Sequence, residues 1–223
     1  MRFLFSDEAG AQTLHLRGET YKYLVKVRRH KSGDTIFMRN KSDRKILYRY
    51  EIAAIESRRV TLVLCGSEEK IVDAKRRLHL GWCMIESRSI EKVLPSLNEM
   101  GAAKITFIEC ARSQRNVKLD FERFRRIVDA SSQQCGRSTE MEFAVSDSVQ
   151  TFLKEHKECV VFDFSAKKIE KSTIMETVLI GCEGGFSEEE RAFFDKERIY
   201  SFDTPLVLRS ESAALAVAST ILL

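Results

Sequence analysis

An apolar run that breaks at glycines and then turns acidic, Val178-Leu-Ile-Gly-Cys-Glu-Gly-Gly-Phe-Ser-Glu-Glu-Glu190, is the stretch best suited to chemistry. Gly181, Gly184 and Gly185 lack the Cβ that holds a ligand away from the main chain. A turn built on them at the end of a buried strand offers bare N–H and C=O groups. Two further segments also leave predicted strand ends. One is Asp163-Phe-Ser-Ala166; the other is Thr204-Pro-Leu-Val-Leu-Arg-Ser-Glu-Ser212, which runs from the helix-hostile Pro205 into a small-residue helix beginning at Ala213. A ligand at the carboxyl edge of a sheet would touch all three. Arg209 and Glu211 sit where a substrate or a neighbouring subunit can be held, and Ser210 or Ser212 can cap the helix. A glycine turn also serves chain geometry alone, and Arg209 and Glu211 also serve as surface ion-pairing groups. The pattern by itself leaves both readings open.

The elements that must position these loops follow from periodicity. Beyond residue 73, strands and helices alternate: strand 78–85, helix 89–100, strand 104–110, helix 121–134, strand 159–164, strand 177–181, helix 187–194, strand 198–202 and helix 210–222. That order predicts an α/β domain with a parallel sheet. Gly101 is placed to end the first helix, and Ser187 with Glu190 forms a capping-box pattern at the start of the acidic one. Residues 167–173 read as a mobile loop. Before residue 73 the pattern is different. Strands 2–5, 13–16, 35–39, 46–55 and 59–64 with one helix, 19–27, predict a small barrel. The charged stretch 68–77 reads as the linker, giving two domains, 1–72 and 73–223.

Charge separates the two in the same way. Residues 1–72 carry 15 Lys+Arg against 9 Asp+Glu, and the remainder 22 against 24. The excess lies between Arg17 and Arg49, among them Lys26, Arg29 and Arg39, beside Tyr21, Tyr23, Phe37, Tyr48 and Tyr50. Clustered cations next to aromatic rings suit a polyanion with stacking bases, a nucleic acid. A solvated basic surface is the plainer reading. No apolar run reaches membrane-span length, and the amino end turns acidic before a signal core forms, so a cytoplasmic protein is expected. The six cysteines form no Cys-x-x-Cys pair and the four histidines are dispersed. Reduced, mostly buried thiols are expected, and no metal site.

Taken together, these residues resemble a family. Ile180-Gly-Cys-Glu-Gly-Gly-Phe186 is similar to the Gly-Pro-Glu-Gly-Gly-Phe loop of the RsmE family of SPOUT-class RNA methyltransferases. Leu206-Val-Leu-Arg-Ser-Glu-Ser-Ala213 is similar to its Ile-Leu-Arg-Thr-Glu-Thr-Ala segment. Order and separation agree, and weaker matches run through Arg2-Phe3, Leu24-x-x-Val27-x-Arg29 before Gly33-Asp34, Glu99-Met-Gly101, Arg112-Ser113 with Val117-Lys118, and Gln134-Cys-Gly-Arg137.

The resemblance implies an enzyme that methylates N3 of one uridine in 16S ribosomal RNA of the small subunit with S-adenosylmethionine as donor. It implies a PUA-like β-barrel followed by a catalytic domain with a C-terminal trefoil knot, working as a homodimer. The implied cofactor positions are Phe162, Ile180, Gly181, Glu183, Gly184, Gly185, Leu206, Leu208, Ser210 and Ala213. Arg209 is implied to stabilise charge on the uracil or grip phosphate, with Glu211 or Ser210 as proton acceptor or orienter. Arg2, Lys26, Arg29, Gln134 and Arg137 are implied RNA contacts. The chain departs from the family pattern at Cys182, which stands for the motif proline, at Ser210 and Ser212 for threonines, and at Tyr23 for a histidine. It also departs at Arg28 for a leucine, at Pro95-Ser96 for a Gln-Lys pair, and at Gln133 for a glutamate. Two rivals remain: a non-catalytic RNA-binding protein of the same fold, and a related methyltransferase acting on another RNA site. A Rossmann-type enzyme is disfavoured because no Gly-x-Gly-x-x-Gly follows an early strand.

Overall fold

Alternating apolar residues build the first of two units in the computed structural model, which describes residues 2–114, 117–170 and 175–223. This unit holds the residues up to Asp73 and also Ser132–Thr139; the second unit holds Ala74–Ser131 and Glu140–Leu223. Strands β1 (Leu4–Phe5), β2 (Thr13–Leu16), β3 (Thr35–Arg39), β4 (Ile46–Ile55) and β5 (Val60–Glu69) form one sheet in the order β1-β3-β4-β5-β2. It is a curled half-barrel with β1 and β2 as its edges. β4 keeps Tyr48, Tyr50 and Ile52 on the side of the unit's core, while register shifts between Arg49 and Tyr50 and between Ile52 and Ala54 interrupt its pairing with β5. β5 runs on to Glu69, into the stretch expected to be linker.

The predicted helix at 19–27 is two pieces. Helix α1 (Gly18–Tyr21) passes into a π-helical turn, Lys22–Val27, where the Arg28 N–H donates to the Tyr23 carbonyl at 2.9 Å. One extra residue per turn widens the coil, a form that is rare outside functional segments. Arg29 follows with φ 59°, the left-handed region a non-glycine residue seldom occupies.

The second unit is a six-stranded sheet in which every pairing is parallel. Its strands are β6 (His79–Cys83), β7 (Lys104–Ile108), β8 (Glu142–Ser146), β9 (Val160–Phe162), β10 (Thr177–Ile180) and β11 (Ile199–Tyr200), ordered β11-β9-β10-β6-β7-β8. Helices α2 (Ser87–Met100), α3 (Phe121–Cys135), α4 (Val149–Glu155), α5 (Glu188–Arg191) and α6 (Ser210–Leu222) cover it. β8 and α4 were not anticipated from the sequence. Gly101 ends α2 at φ 98°, and Ser187 and Glu190 make both bonds of the capping box on α5.

All five residues of β6 are buried, as expected of a central strand covered on both faces. Trp82, Phe107, Phe124 and Phe152 have no exposed surface. Each such side chain stabilises the fold by about 2–3 kcal/mol relative to leaving it in water. His79 opens β6 with its Nε2 2.7 Å from the Thr106 hydroxyl. Burial, then the neighbouring His156, pushes its imidazole pKa down to about 3, so it is neutral at physiological pH. Among the described residues no helix is long and apolar enough to cross a membrane. Of the loop expected to be mobile, Lys167 bonds Glu197 and Lys168 bonds Ser201, while residues 171–173 lie outside the described residues.

Candidate functional site

From β6 the chain winds outward through β7 and β8, then crosses to β9 and returns to place β10 against β6. Winding reverses between β6 and β10, and such switch points leave a crevice at the carboxyl ends of the strands. A cleft of about 420 Å³ opens on the β10 side of that point, beyond the ends of β9, β10 and β11. Phe162, Ile180, Gly181, Glu183, Gly184, Gly185, Leu206, Leu208, Ser210 and Ala213 all lie on its walls. The three loops singled out in the sequence thus converge.

One hydroxyl ties two of those loops together. Ser210, the first residue of α6, donates through Oγ to the Gly181 carbonyl at 2.5 Å and accepts from Trp82 Nε1 at 2.8 Å. It is buried, with 4 % of its surface exposed. Its hydroxyl is a clamp that fixes where α6 begins. It does not cap the helix, because Arg209 holds the N-cap position, and the Arg209 side chain makes no capping bond. Arg209 is exposed and Glu211 half-buried, and neither belongs to the cleft wall.

The glycine turn is held from outside by side chains whose roles the sequence did not announce. Arg112 Nη1 donates to the Gly184 carbonyl at 2.9 Å, and a Cβ on Gly184 would meet Arg112 Cβ at 3.1 Å. Gly185 has φ 66°, where an L side chain is strained. Arg191 donates through Nε to Asp163 Oδ2 at 2.8 Å and through Nη1 to the Phe186 carbonyl at 2.9 Å, joining the β9 and β10 loops. Glu190 accepts the Ser187 N–H on one oxygen and the Ala111 N–H on the other, each at 2.8 Å. Arg112 stood inside a motif match in the sequence, whereas nothing local marked Arg191 or Asp163 as partners. Around the mouth Phe164, Leu206 and Val207 are 76 %, 73 % and 77 % exposed.

In the first unit Arg2, Lys26 and Arg29 are exposed, as is Gln134 on the last turn of α3. A shallow pocket of about 110 Å³ lies among Arg2, Tyr23, Arg28 and Phe37, with the Arg28 guanidinium 6.0 Å from the Tyr23 ring. Arg137, expected to contact RNA, lies inside the unit. Its side chain is 5 % exposed, paired with Asp73 at 3.1 Å and bonded to Thr139 at 2.9 Å, so it holds the unit together. Arg39 leaves the basic surface for a similar reason: its guanidinium donates to the carbonyls of Arg44, Lys45 and Lys70 and lies over the Phe3 ring. Tyr50 is equally unavailable for stacking, being buried with its hydroxyl bonded to Gly10 and Ala11. Tyr21 is buried too.

Comparison with known proteins agrees with this geometry. The sequence pattern of an RNA methyltransferase domain matches residues 72–222. Two Helicobacter pylori proteins named ribosomal RNA small subunit methyltransferase E are each 40 % identical to the chain, over 98 % of both lengths. Among solved structures, a ribosomal RNA small subunit methyltransferase E from Neisseria gonorrhoeae bound to S-adenosyl methionine superimposes with a TM-score of 0.77. It covers 98 % of this chain and 95 % of its own at 18 % identity. A Legionella pneumophila methyltransferase in complex with the same cofactor gives 0.75, with 97 % and 94 % covered at 23 % identity. The structural likenesses establish a common fold, and four identical residues in ten along the whole sequence establish more: this chain belongs to the ribosomal RNA small subunit methyltransferase E family of RNA methyltransferases.

Proposed function

We propose that this protein methylates N3 of one uridine in the 16S RNA of the small ribosomal subunit, with S-adenosylmethionine held in the cleft beyond β9, β10 and β11. The observation that carries the reading is the convergence of the Gly181–Gly185 turn and the 206–208 segment on one cleft, pinned to each other by Ser210. The cleft suits that cofactor. Apolar Ile180, Leu206 and Leu208 offer walls for a purine, and the bare backbone of the turn offers donors and acceptors for its edges and a ribose. The exposed Glu183 carboxylate suits a cationic group.

When bound, the cofactor supplies an electrophilic methyl on a sulfonium. The chain supplies position and charge. Uracil N3 carries an imide proton that must leave before the nitrogen attacks well. Arg209, at the amino end of the 13-residue helix α6, places a guanidinium where the free amides of that helix also favour negative charge. Both stabilise an anionic uracil. Glu211, in the first turn of α6, is the proton acceptor in this reading. Ser210 orients the pair by fixing the helix start. Arg2, Lys26, Arg29 and Gln134 of the first unit grip RNA, which makes that unit the RNA-binding domain and the second the catalytic one. A trefoil knot in the C-terminal segment, a homodimer whose second copy covers Leu206 and Val207, and a cytoplasmic site of action complete the proposal.

The test is transfer of labelled methyl to small subunits and to naked 16S RNA lacking the modification, followed by mass analysis of nucleosides. N3-methyluridine at one site is the expected product. A ribose-methylated nucleoside, or no transfer with cofactor bound, overturns the assignment.

A further inference from the structure

Three cysteines scattered through the sequence meet beside the cleft. Cys83 ends β6, Cys110 lies two residues beyond β7, and Cys182 lies two residues beyond β10; the sheet order β10-β6-β7 sets these strand ends side by side. The Sγ atoms of Cys110 and Cys182 are 3.4 Å apart, and all six cysteines of the chain are free thiols. Cys182 lies on the cleft wall, where its carbonyl accepts the Gly185 N–H at 2.9 Å and so shapes the glycine turn. The loops carrying the two thiols are already fastened by Glu190 to the Ala111 amide and by Arg112 to the Gly184 carbonyl. Closing the gap to a disulfide needs a shift of roughly 1.3 Å, within reach of two surface loops.

We propose that Cys110 and Cys182 are a reversible oxidation site for small peroxides, and that the disulfide they form distorts the Gly181–Gly185 turn and blocks cofactor binding. The inference rests on the reading of the cleft as the S-adenosylmethionine site. Chemically the pair is matched. Cys110 is half-buried, and hydrogen bonding with Cys182, Cys83 and the Ser113 hydroxyl, 3.0 Å away, lowers its thiol pKa and favours the thiolate. Cys83 is fully buried and held as a thiol by its bond to Cys110 and by desolvation, so it does not compete. The Cys110 thiolate attacks a peroxide oxygen; the O–O bond breaks, hydroxide leaves and takes up a proton as water, and a sulfenic acid remains. The Cys182 sulfur then attacks Cys110 Sγ, the S–O bond breaks, and the departing hydroxide takes the Cys182 proton as a second water. Two thiols lose two electrons and two protons, and hydrogen peroxide becomes two waters. A dithiol reductant reverses the change by exchange.

The experiment treats the full-length chain with a small excess of hydrogen peroxide and maps it, unreduced, by peptide mass analysis, with calorimetry of S-adenosylmethionine before oxidation, after it and after dithiothreitol. The expected result is a linked Cys110–Cys182 peptide, lighter by two hydrogens, with affinity weakened at least about tenfold and restored by the dithiol. Cys110→Ser should bind the cofactor when reduced and keep its affinity in peroxide. A protein whose two thiols stay unlinked, or a Cys110→Ser variant that loses affinity in peroxide as the native chain does, overturns the proposal. If the reduced native chain fails to bind the cofactor, the cofactor reading of the cleft falls instead, and the linked peptide alone then decides whether the thiol pair is an oxidation site.

Discussion

The half-barrel and the parallel-sheet unit offer candidate contacts made of different materials. In the half-barrel the candidate contacts are ends of side chains: Arg2, Lys26 and Arg29 are exposed and free to spread over a phosphate backbone. In the parallel sheet the candidate contacts are mostly main chain, shaped by a glycine at φ 66° and locked by the Trp82–Ser210–Gly181 relay. A surface of charges degrades gradually as charges are lost. A surface of backbone fails when a single Cβ is added, because the atoms that bind are also the atoms that make the turn.

The largest expected effect follows from that contrast. Gly185→Val forces a β-branched side chain into the left-handed region and should weaken S-adenosylmethionine binding about a hundredfold in calorimetry while circular dichroism stays native. Unchanged affinity would break the comparison at its stronger end. Ser210→Ala comes next. It leaves a buried indole N–H and the Gly181 carbonyl without their partner and should lower unfolding stability by about 2 kcal/mol in urea, with weaker cofactor binding.

Acid should also separate the units. His79 has a folded-state pKa near 3 against about 6.5 unfolded, so below pH 6.5 the unfolded chain takes up a proton that the folded chain refuses. The parallel-sheet unit therefore loses stability as pH falls from about 6.5 toward 3, by up to about 2 kcal/mol between pH 7 and pH 5. The half-barrel's shifted carboxylates are Asp34, lowered by the Lys31 amide and His30, and Glu56, lowered by Arg59, and a depressed acid releases its stabilisation only on descent through its own lower range. Urea midpoints at pH 7 and pH 5 should differ, and His79→Gln should remove most of the difference; a variant that keeps all of it removes His79 as the cause. The smallest effect belongs to the distributed surface. Replacing Lys26 and Arg29 together by Ala should weaken RNA binding several-fold and lower the salt slope by about 2, with the cofactor affinity untouched. A loss as steep as that of Gly185→Val would mean that the half-barrel, too, binds through a built site.

The same contrast explains what the sequence could reveal. Glycines at 181, 184 and 185 and the run into α6 were legible because few residue types satisfy a backbone-lined turn. Both loops lie on the cleft as that reasoning required. β8 and α4 were not legible: Glu-Phe-Ala-Val-Ser at an edge of the sheet offers only short alternation, and seven residues make a helix too brief for a clear period. Arg39, Arg137 and Tyr50 read as surface cations and a stacking ring because their character is set by distant partners. Carbonyls up to 31 residues away cage Arg39, and Asp73 neutralises Arg137 from across the unit. The thiol group was hidden likewise, since Cys110 and Cys182 are 72 positions apart and become neighbours only through parallel pairing. Their equal offset, two residues past β7 and β10, shows only in the folded strands.

Trp82 is the chain's single tryptophan, and its indole N–H ends on the hydroxyl that grips Gly181. Indole emission responds to the hydrogen bond at that nitrogen. The molecule therefore carries its own optical probe one hydroxyl away from the glycine turn, and the opening or filling of the cleft can be timed in unlabelled protein by following that one fluorophore.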